Sequence, residues 1–248
     1  MNNTRFKGRT CVVTGGGRGI GRAIAVALAA EGASVGVLAR TGAQCAEVAA
    51  GIGERAIAVR ADVADPADCS AAIDAVTDRF GRVSILVHAA GISPVRQRAE
   101  GHDLEAFRQI LDVNLYGAFT VARVAAPALL DGGGAIVFVA SVLGTIGSPR
   151  LAGYGASKAG VVQLTRTLAR EWADRGVRVN AICPWYAETD LTAAMLAVDH
   201  IRTDIVEQTP LGRLAHIDEV VAPTLFLASD DASYITGVAL AVDGGMSA

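Results

Sequence analysis

The sequence predicts an α/β protein: one domain built on a doubly wound parallel sheet of about seven strands, with helices on both faces. Three observations carry that expectation. Short β-branched runs alternate with Ala-rich stretches of helical period from one end of the chain to the other, the rhythm of repeated β–α–β units. Several of the runs are apolar throughout, as strands covered on both faces are. No linker, repeat or low-complexity block divides the 248 residues, a length that α/β folds commonly fill as one domain.

The elements follow in order. Thr10–Thr14 reads as the first strand, and the glycines behind it open a helix over Gly21–Ala30. Ser34–Ala39 and Ala56–Ala61 are β-branched runs, separated by the helical period of Ala43–Ile52 and followed by that of Pro66–Phe80. Ser84–His88 precedes a long apolar-periodic stretch, Asp103–Leu130. Ala135–Ala140 precedes another, Gly155–Asp174, and Val177–Ile182 is the sixth strand. Trp185–Pro210 has no clean period and reads as a lid of helix and loop, with the substrate lid set at about 186–210. Asp218–Ala228 and Val238–Val242 close the chain as helix and strand.

Composition excludes several classes. With 52% hydrophobic and 19% charged residues the chain is not disordered. A net charge of −3 provides no basic excess for a phosphate backbone, so no nucleic-acid partner is expected. No membrane association is expected either, because Glu31, Arg123 or glycines break the richest apolar stretches before about 18 residues. No apolar stretch of signal-peptide type follows the basic residues of Met1–Thr10. Cys11, Cys45, Cys69 and Cys183 show neither Cys-x-x-Cys nor zinc spacing and read as free thiols of a reducing cytoplasm. His88, His102, His200 and His216 are too scattered to suggest a metal site.

The chemistry begins at Thr14-Gly15-Gly16-Gly17-Arg18-Gly19-Ile20-Gly21, between a strand and a helix. Glycines there permit a tight turn and close backbone approach, and the helix N-terminus turns free N–H groups toward a pyrophosphate. Tyr154 and Lys158 lie four apart in a helical stretch and share one face. Lys158 is one of only two lysines. A tyrosine that exchanges protons near neutral pH must lower its pKa of about 10 by roughly 3 units, about 4 kcal/mol, and a fixed ammonium has the right sign for that. Ser141 follows an apolar strand, at the edge where doubly wound sheets bind ligands, and its hydroxyl can polarise a carbonyl.

Taken with Asp62-Val63 after the third strand, Ala90-Gly91 after the fourth, Asn114, Pro184, Thr189, Tyr234-Ile235-Thr236-Gly237 and Asp243-Gly244-Gly245, this set resembles the short-chain dehydrogenases/reductases over nearly the whole chain. The pattern is near that of 3-oxoacyl-carrier-protein reductases and tropinone-reductase-like ketone reductases. The resemblance implies a Rossmann-type fold and hydride transfer between a nicotinamide cofactor and a carbonyl or secondary alcohol of a small molecule. It implies that Asn114, Ser141, Tyr154 and Lys158 are catalytic, with Tyr154 the acid in reduction and the Asn114 carbonyl holding a water linked to Lys158. It places Gly15, Gly17, Arg18, Gly19, Ile20, Gly21, Arg40, Thr41, Asp62, Val63, Ala89, Ala90, Gly91, Tyr154, Lys158, Pro184, Ala187 and Thr189 against the cofactor. It also implies a homotetramer formed by Asp103–Leu130, Gly155–Asp174 and the last helix and strand.

The cofactor expectation is NADP(H). Ala39 stands at the end of the second strand, where NAD-preferring sites carry an acid, and Arg40 and Thr41 follow it. The rival readings are a 3-oxoacyl-(acyl-carrier-protein) reductase, an NAD-linked sugar or polyol dehydrogenase, and, from another class, an inactive nucleotide-sensing scaffold. A sensor has no need of the Asn/Ser/Tyr/Lys set. Three departures from the family pattern bear on function. His88-Ala89 replaces two asparagines that brace neighbouring strands, Trp185 follows Pro184 where glycine is usual, and the loop Leu129–Ala135 carries no basic residue. Candidate substrate contacts are Ser93, Arg96, Leu143, Arg150, Trp185, Tyr186 and the lid from Leu191 to Ile201.

Overall fold

Thr10–Thr14 forms β1, five residues buried along their whole length. Burial on both faces is why this strand is apolar without alternation. The chain continues as α1 (Gly19–Ala30), β2 (Ser34–Ala39), α2 (Gly42–Ile52), β3 (Ala56–Arg60), α3 (Pro66–Phe80) and β4 (Val83–His88). Then come α4 (Leu104–Leu111), α5 (Gly117–Gly132), β5 (Gly134–Val139), α6 (Ala152–Trp172), β6 (Val177–Pro184), α7 (Ala193–Leu196), α8 (Asp199–Glu207), α9 (Ile217–Ala228) and β7 (Ala239–Val242). The structure is a computed structural model that describes residues 4–93, 96–189 and 191–248. Residues 1–3 of the N-terminal stretch and residue 190 of the expected lid lie outside the described residues.

The strands form one seven-stranded sheet in the order β3-β2-β1-β4-β5-β6-β7, and every pairing is parallel. Successive residues of each strand feed opposite layers. Val12, Leu86, Ile136 and Phe138 pack on one face with residues of α3, α5 and α6. Val13, Val37, Val87 and Val137 pack on the other with α1, α2 and α9. Strand order reverses between β1 and β4, and the crevice at their carboxyl ends is where such sheets bind ligands.

The main difference from the sequence reading is the helix expected over Asp103–Leu130. It divides into α4 and α5, joined by a wider π-turn over Asp112–Tyr116 that contains Asn114. A π-turn adds one residue to a single turn, a slip that the loose apolar spacing of this stretch does not reveal. The expected loop Leu129–Ala135 is also mostly regular: the last turn of α5, one link at Gly133 (φ +69°), then β5. Arg82 and Arg175 donate to the carbonyls of Ala128, Leu130, Gly132 and Gly133, satisfying the end of α5. By length and composition Leu104–Gly132 is apolar enough to cross a membrane, but half of its 18-residue apolar window is buried within this domain. The aperiodic Trp185–Pro210 stretch resolves into α7 and α8, whose Leu196 and Ile205 gather with Leu214 beneath Trp185, Tyr186 and Met195.

Candidate active site

β1 ends at Thr14, and Gly15 turns the chain at φ +65°. A Cβ on Gly15 would lie 2.7 Å from the backbone nitrogen of Ala90, so only glycine lets this turn meet the turn after β4. Gly21 is sealed in the same way against the Gly15 carbonyl. Arg18 precedes α1 in an extended conformation, and no side chain caps the helix. The first N–H groups of α1 and its dipole therefore face the cleft.

His88 takes over the bracing that the sequence left in question. It stands opposite Thr14 in the β1–β4 register, and its Nδ1 lies 3.0 Å from Thr14 Oγ1. The same Thr14 oxygen accepts from the Ala90 N–H at 3.4 Å. One hydroxyl thus ties the glycine turn to the turn after β4. Burial, with the Lys158 charge second, pushes the His88 imidazole down to about 3, so it is neutral here. Its Nε2 has no partner among the described residues.

The catalytic candidates come from three elements: the turn after β5, α6 and the π-turn. Ser141, just past β5, accepts from the Leu143 N–H at 3.2 Å, and its hydroxyl stands beside the Tyr154 phenol, whose pKa it acts to lower. Tyr154 and Lys158 project from α6, with Lys158 Nζ 5.7 Å from the Tyr154 ring centroid. Lys158 donates to the Val139 carbonyl at 2.8 Å. Asn114 is fully buried and does not line the cleft. It accepts from the Ile92 N–H at 2.8 Å and donates to the Ile92 carbonyl and to Ser157 Oγ, both at 3.0 Å. Ser157 in turn donates to the Tyr154 carbonyl at 2.7 Å, so Asn114 clamps α6 to the turn after β4.

The protein's own electrostatics differ from the sequence expectation. Burial pushes the Tyr154 phenol up to about 12, against the neighbouring Ser141 hydroxyl, which acts the other way. Burial pushes Lys158 down to about 8. Desolvation outweighs the ammonium because Lys158 is turned to a backbone carbonyl rather than to the phenol. Within the protein alone Tyr154 is thus a firmly protonated acid, and Lys158 is the group that titrates near neutrality.

A cavity of about 650 Å³ runs along the carboxyl ends of the strands. Gly15, Gly17, Arg18, Gly19, Ile20 and Gly21 form its floor at one end, with Arg40, Thr41, Asp62 and Val63 beside them. Ala89, Ala90 and Gly91 line its middle. Tyr154, Lys158, Ser141, Pro184, Ala187 and Thr189 line the far end. Gly91 sits against Asn114 and Lys158: a Cβ there would make ordinary contact with Asn114 Oδ1 at 3.4 Å and Lys158 Nζ at 3.5 Å. An elongated dinucleotide fits this arrangement: uncapped helix N–H groups for its phosphates, glycine clearance along its length, and hydroxyl and ammonium groups at the end.

Of the substrate candidates, Ser93, Arg96, Leu143, Trp185, Tyr186 and Leu191 line the cavity, with Thr192, Ala194 and Met195 of the lid. Arg150 is not among the described lining residues; it is exposed, at φ +67°. Trp185 both lines and packs: its ring meets Tyr186 edge-on at 4.6 Å, and it rests on the main core and on the lid cluster. Gln44, Ile92 and Leu151 also line the cavity. The sequence reading passed over them, and an apolar or amide side chain in a loop or helix carries no signal that would have found them. No group of three His, Cys, Asp or Glu among the described residues is placed to hold a metal ion.

A family model described as enoyl-(acyl carrier protein) reductase matches residues 15–247. A short-chain type dehydrogenase/reductase of Sinorhizobium fredii is 39% identical over 96% of this chain, which spans 43% of that protein's length. The 3-oxoacyl-[acyl-carrier-protein] reductase of Escherichia coli is 39% identical over 97% of this chain and 98% of its own. Among solved structures, a gluconate 5-dehydrogenase of Burkholderia cenocepacia in complex with NADP and tartrate superposes with a TM-score of 0.94 at 33% identity, covering 99% of this chain and 97% of that one.

Proposed function

The chain belongs to the short-chain dehydrogenase/reductase family, oxidoreductases acting on alcohols and ketones, and we propose that it is an NADP(H)-dependent reductase of a small ketone, or dehydrogenase of the matching secondary alcohol. The observation that carries this reading is the cavity in which the Tyr154–Ser141 pair and Lys158 stand at the end of a glycine-floored cleft. When bound, the nicotinamide supplies the hydride chemistry. The chain does the rest. Ser141 donates a hydrogen bond to the substrate carbonyl and polarises it, and Tyr154 gives its phenolic proton to the same oxygen as it becomes an alkoxide. Lys158 orients the nicotinamide ribose and, as an ammonium, favours the phenolate left behind. Asn114 holds α6 in register and offers its backbone carbonyl, within the π-turn, to a water on the way to Lys158.

The cofactor contacts in this reading are the α1 N-terminus for the pyrophosphate, Asp62 and Val63 for the adenine, Ala89–Gly91 for the ribose, and Pro184, Ala187 and Thr189 for the nicotinamide. Arg18, Arg40 and Thr41 take the 2′-phosphate. The substrate enters under the lid at 186–210, in a single domain over 1–248. Four buried free thiols fit a reducing cytoplasm.

A screen of ketones and alcohols, read by cofactor absorbance, tests the reading, and it includes carrier-bound substrates. Acyl carrier proteins are acidic, so a docking reductase presents basic residues that speed encounter. Here Arg82 and Arg175 are committed to the carbonyls at the end of α5, where Asp131 is exposed. Small free ketones are therefore expected to be turned over with a kcat/KM at least about tenfold above that of a 3-oxoacyl carrier protein. Efficient, salt-sensitive use of the carrier-bound substrate would reverse this and establish the fatty-acid reading.

We also propose a homotetramer. Leu104, Tyr116 and Phe119 expose apolar surface along α4 and α5, and Tyr234, just before β7, is fully exposed. Such groups favour burial against a second copy. Light scattering is expected to give a mass of four chains at micromolar concentration; a stable monomer would refute it.

A further inference from the structure

We propose that Arg96 makes this enzyme selective for substrates that carry a carboxylate in addition to the reacting carbonyl or alcohol. This rests on the reductase reading of the same cavity and names its substrate class. Between Tyr154 and the lid the cavity wall is mostly apolar, with Ile92, Leu143, Leu151, Trp185, Leu191 and Met195, and its polar groups besides Arg96 are the uncharged hydroxyls of Ser93, Tyr186 and Thr192. Arg96 is the charged side chain on that wall, and among the described lining residues no carboxylate stands on the substrate side; Asp62 lies at the other end, beside the glycine turn. Arg96 rises from the segment after β4 and reaches across the mouth of the cavity. Its Nη1 lies 3.5 Å from the Tyr186 hydroxyl and also meets Met195 Sδ of the lid. A thioether is a weak acceptor, so these contacts leave the guanidinium charge uncompensated.

The arrangement resembles a built anion clamp. A planar, permanently charged fork at the rim of an apolar pocket matches a carboxylate bidentately, and its contact with the lid places the anion where the lid closes. A neutral ketone of the same shape gains the apolar wall but not the fork. Lys158, another cation lining the cavity, is buried and bonded to the Val139 carbonyl. Arg150, equally basic in sequence, is not among the described residues that line the cavity. The charge preference therefore belongs to Arg96.

The test is a matched series: 4-oxopentanoate, 5-oxohexanoate and 6-oxoheptanoate, each against its methyl ester, with NADPH absorbance as readout. The best acid is expected to exceed its ester in kcat/KM by about tenfold, mainly through KM, with the advantage shrinking as salt is raised, because Arg96 is exposed. In Arg96→Leu the acid-to-ester ratio is expected to fall to about one, and in Arg96→Lys to an intermediate value. The ratio compares two substrates on one protein, so a general loss of folding does not produce it. Esters turned over as well as acids, or a ratio unmoved by Arg96→Leu, overturn the carboxylate proposal while leaving the reductase standing. Turnover of no ketone of either charge would count against both.

Discussion

Replacing Tyr154 by phenylalanine is expected to lower kcat for ketone reduction about a thousandfold while changing cofactor affinity less than about threefold. The substitution removes one hydroxyl, the one beside Ser141, and leaves the ring that lines the cavity. Proton donation is lost, and with it the stabilisation of the alkoxide that hydride delivery creates. Lys158→Ala is expected to damage both turnover and cofactor binding, since the ammonium serves both. The pH dependence separates the two residues. Tyr154, held up at about 12, remains a protonated acid throughout the neutral range. Lys158, held down at about 8, loses its ammonium first as pH rises. Reductive kcat/KM is therefore expected to be level below about pH 7.5 and to fall above about 8 as Lys158 becomes neutral. Steady-state rates across this range, with cofactor titrations of each variant, provide the check. Tyr154→Phe that still turns over within tenfold of wild type would remove Tyr154 from the proton-transfer role.

The sequence made much of this arrangement readable, for identifiable reasons. β1, β2 and β4 are buried on both faces, so their apolar runs are unbroken and their ends lie within a residue of where composition puts them. Tyr154 and Lys158 are readable because i and i+4 share a helix face without any tertiary information. The π-turn around Asn114 was hidden, since a one-residue slip is smaller than the looseness of the apolar spacing there. So was the clamp that Asn114 makes with Ile92 and Ser157, which depends on how α6 meets the turn after β4. His88 looked like the loss of a brace; only the β1–β4 register shows Thr14 standing opposite to receive it. The pKa of Tyr154 misled for a related reason. Spacing puts an ammonium near a phenol, but desolvation and the turn of Lys158 toward Val139 are properties of the folded interior. Likewise Arg96 and Arg150 are indistinguishable as loop arginines until one is seen to line the cavity.

The wild-type enzyme is expected to prefer NADPH over NADH by on the order of 100-fold in kcat/KM. The reasoning starts at the end of β2. Ala39 occupies the place from which an acid would bind both ribose hydroxyls and repel a 2′-phosphate, so that repulsion is absent. Arg40 follows at the cavity rim and can fork onto the phosphate. Thr41 is the residue before α2, yet its side chain makes no capping bond. The N-terminus of this 11-residue helix is thus uncapped by Thr41, and its dipole favours an anion there. Arg18 lines the cavity from the glycine turn on the opposite side. Charge-assisted hydrogen bonds contribute about 1.5–3 kcal/mol each, and two exposed ones net about 3 kcal/mol together, which is the stated preference. Arg40 is expected to be the larger contributor because it directly follows the end of β2, where the ribose would be read, whereas Arg18 belongs to the glycine turn. Ala39→Asp combined with Arg40→Leu is therefore expected to reverse the order. The aspartate restores the ribose contacts of NADH and repels the phosphate, while the leucine removes the fork. Thr41→Ala alone is expected to reduce the preference by less than about tenfold. The measurement is kcat/KM for both cofactors with one ketone, across wild type and the three variants. A wild type that favours NADH, or a preference that the double substitution leaves in place, would show that the end of β2 does not read the ribose.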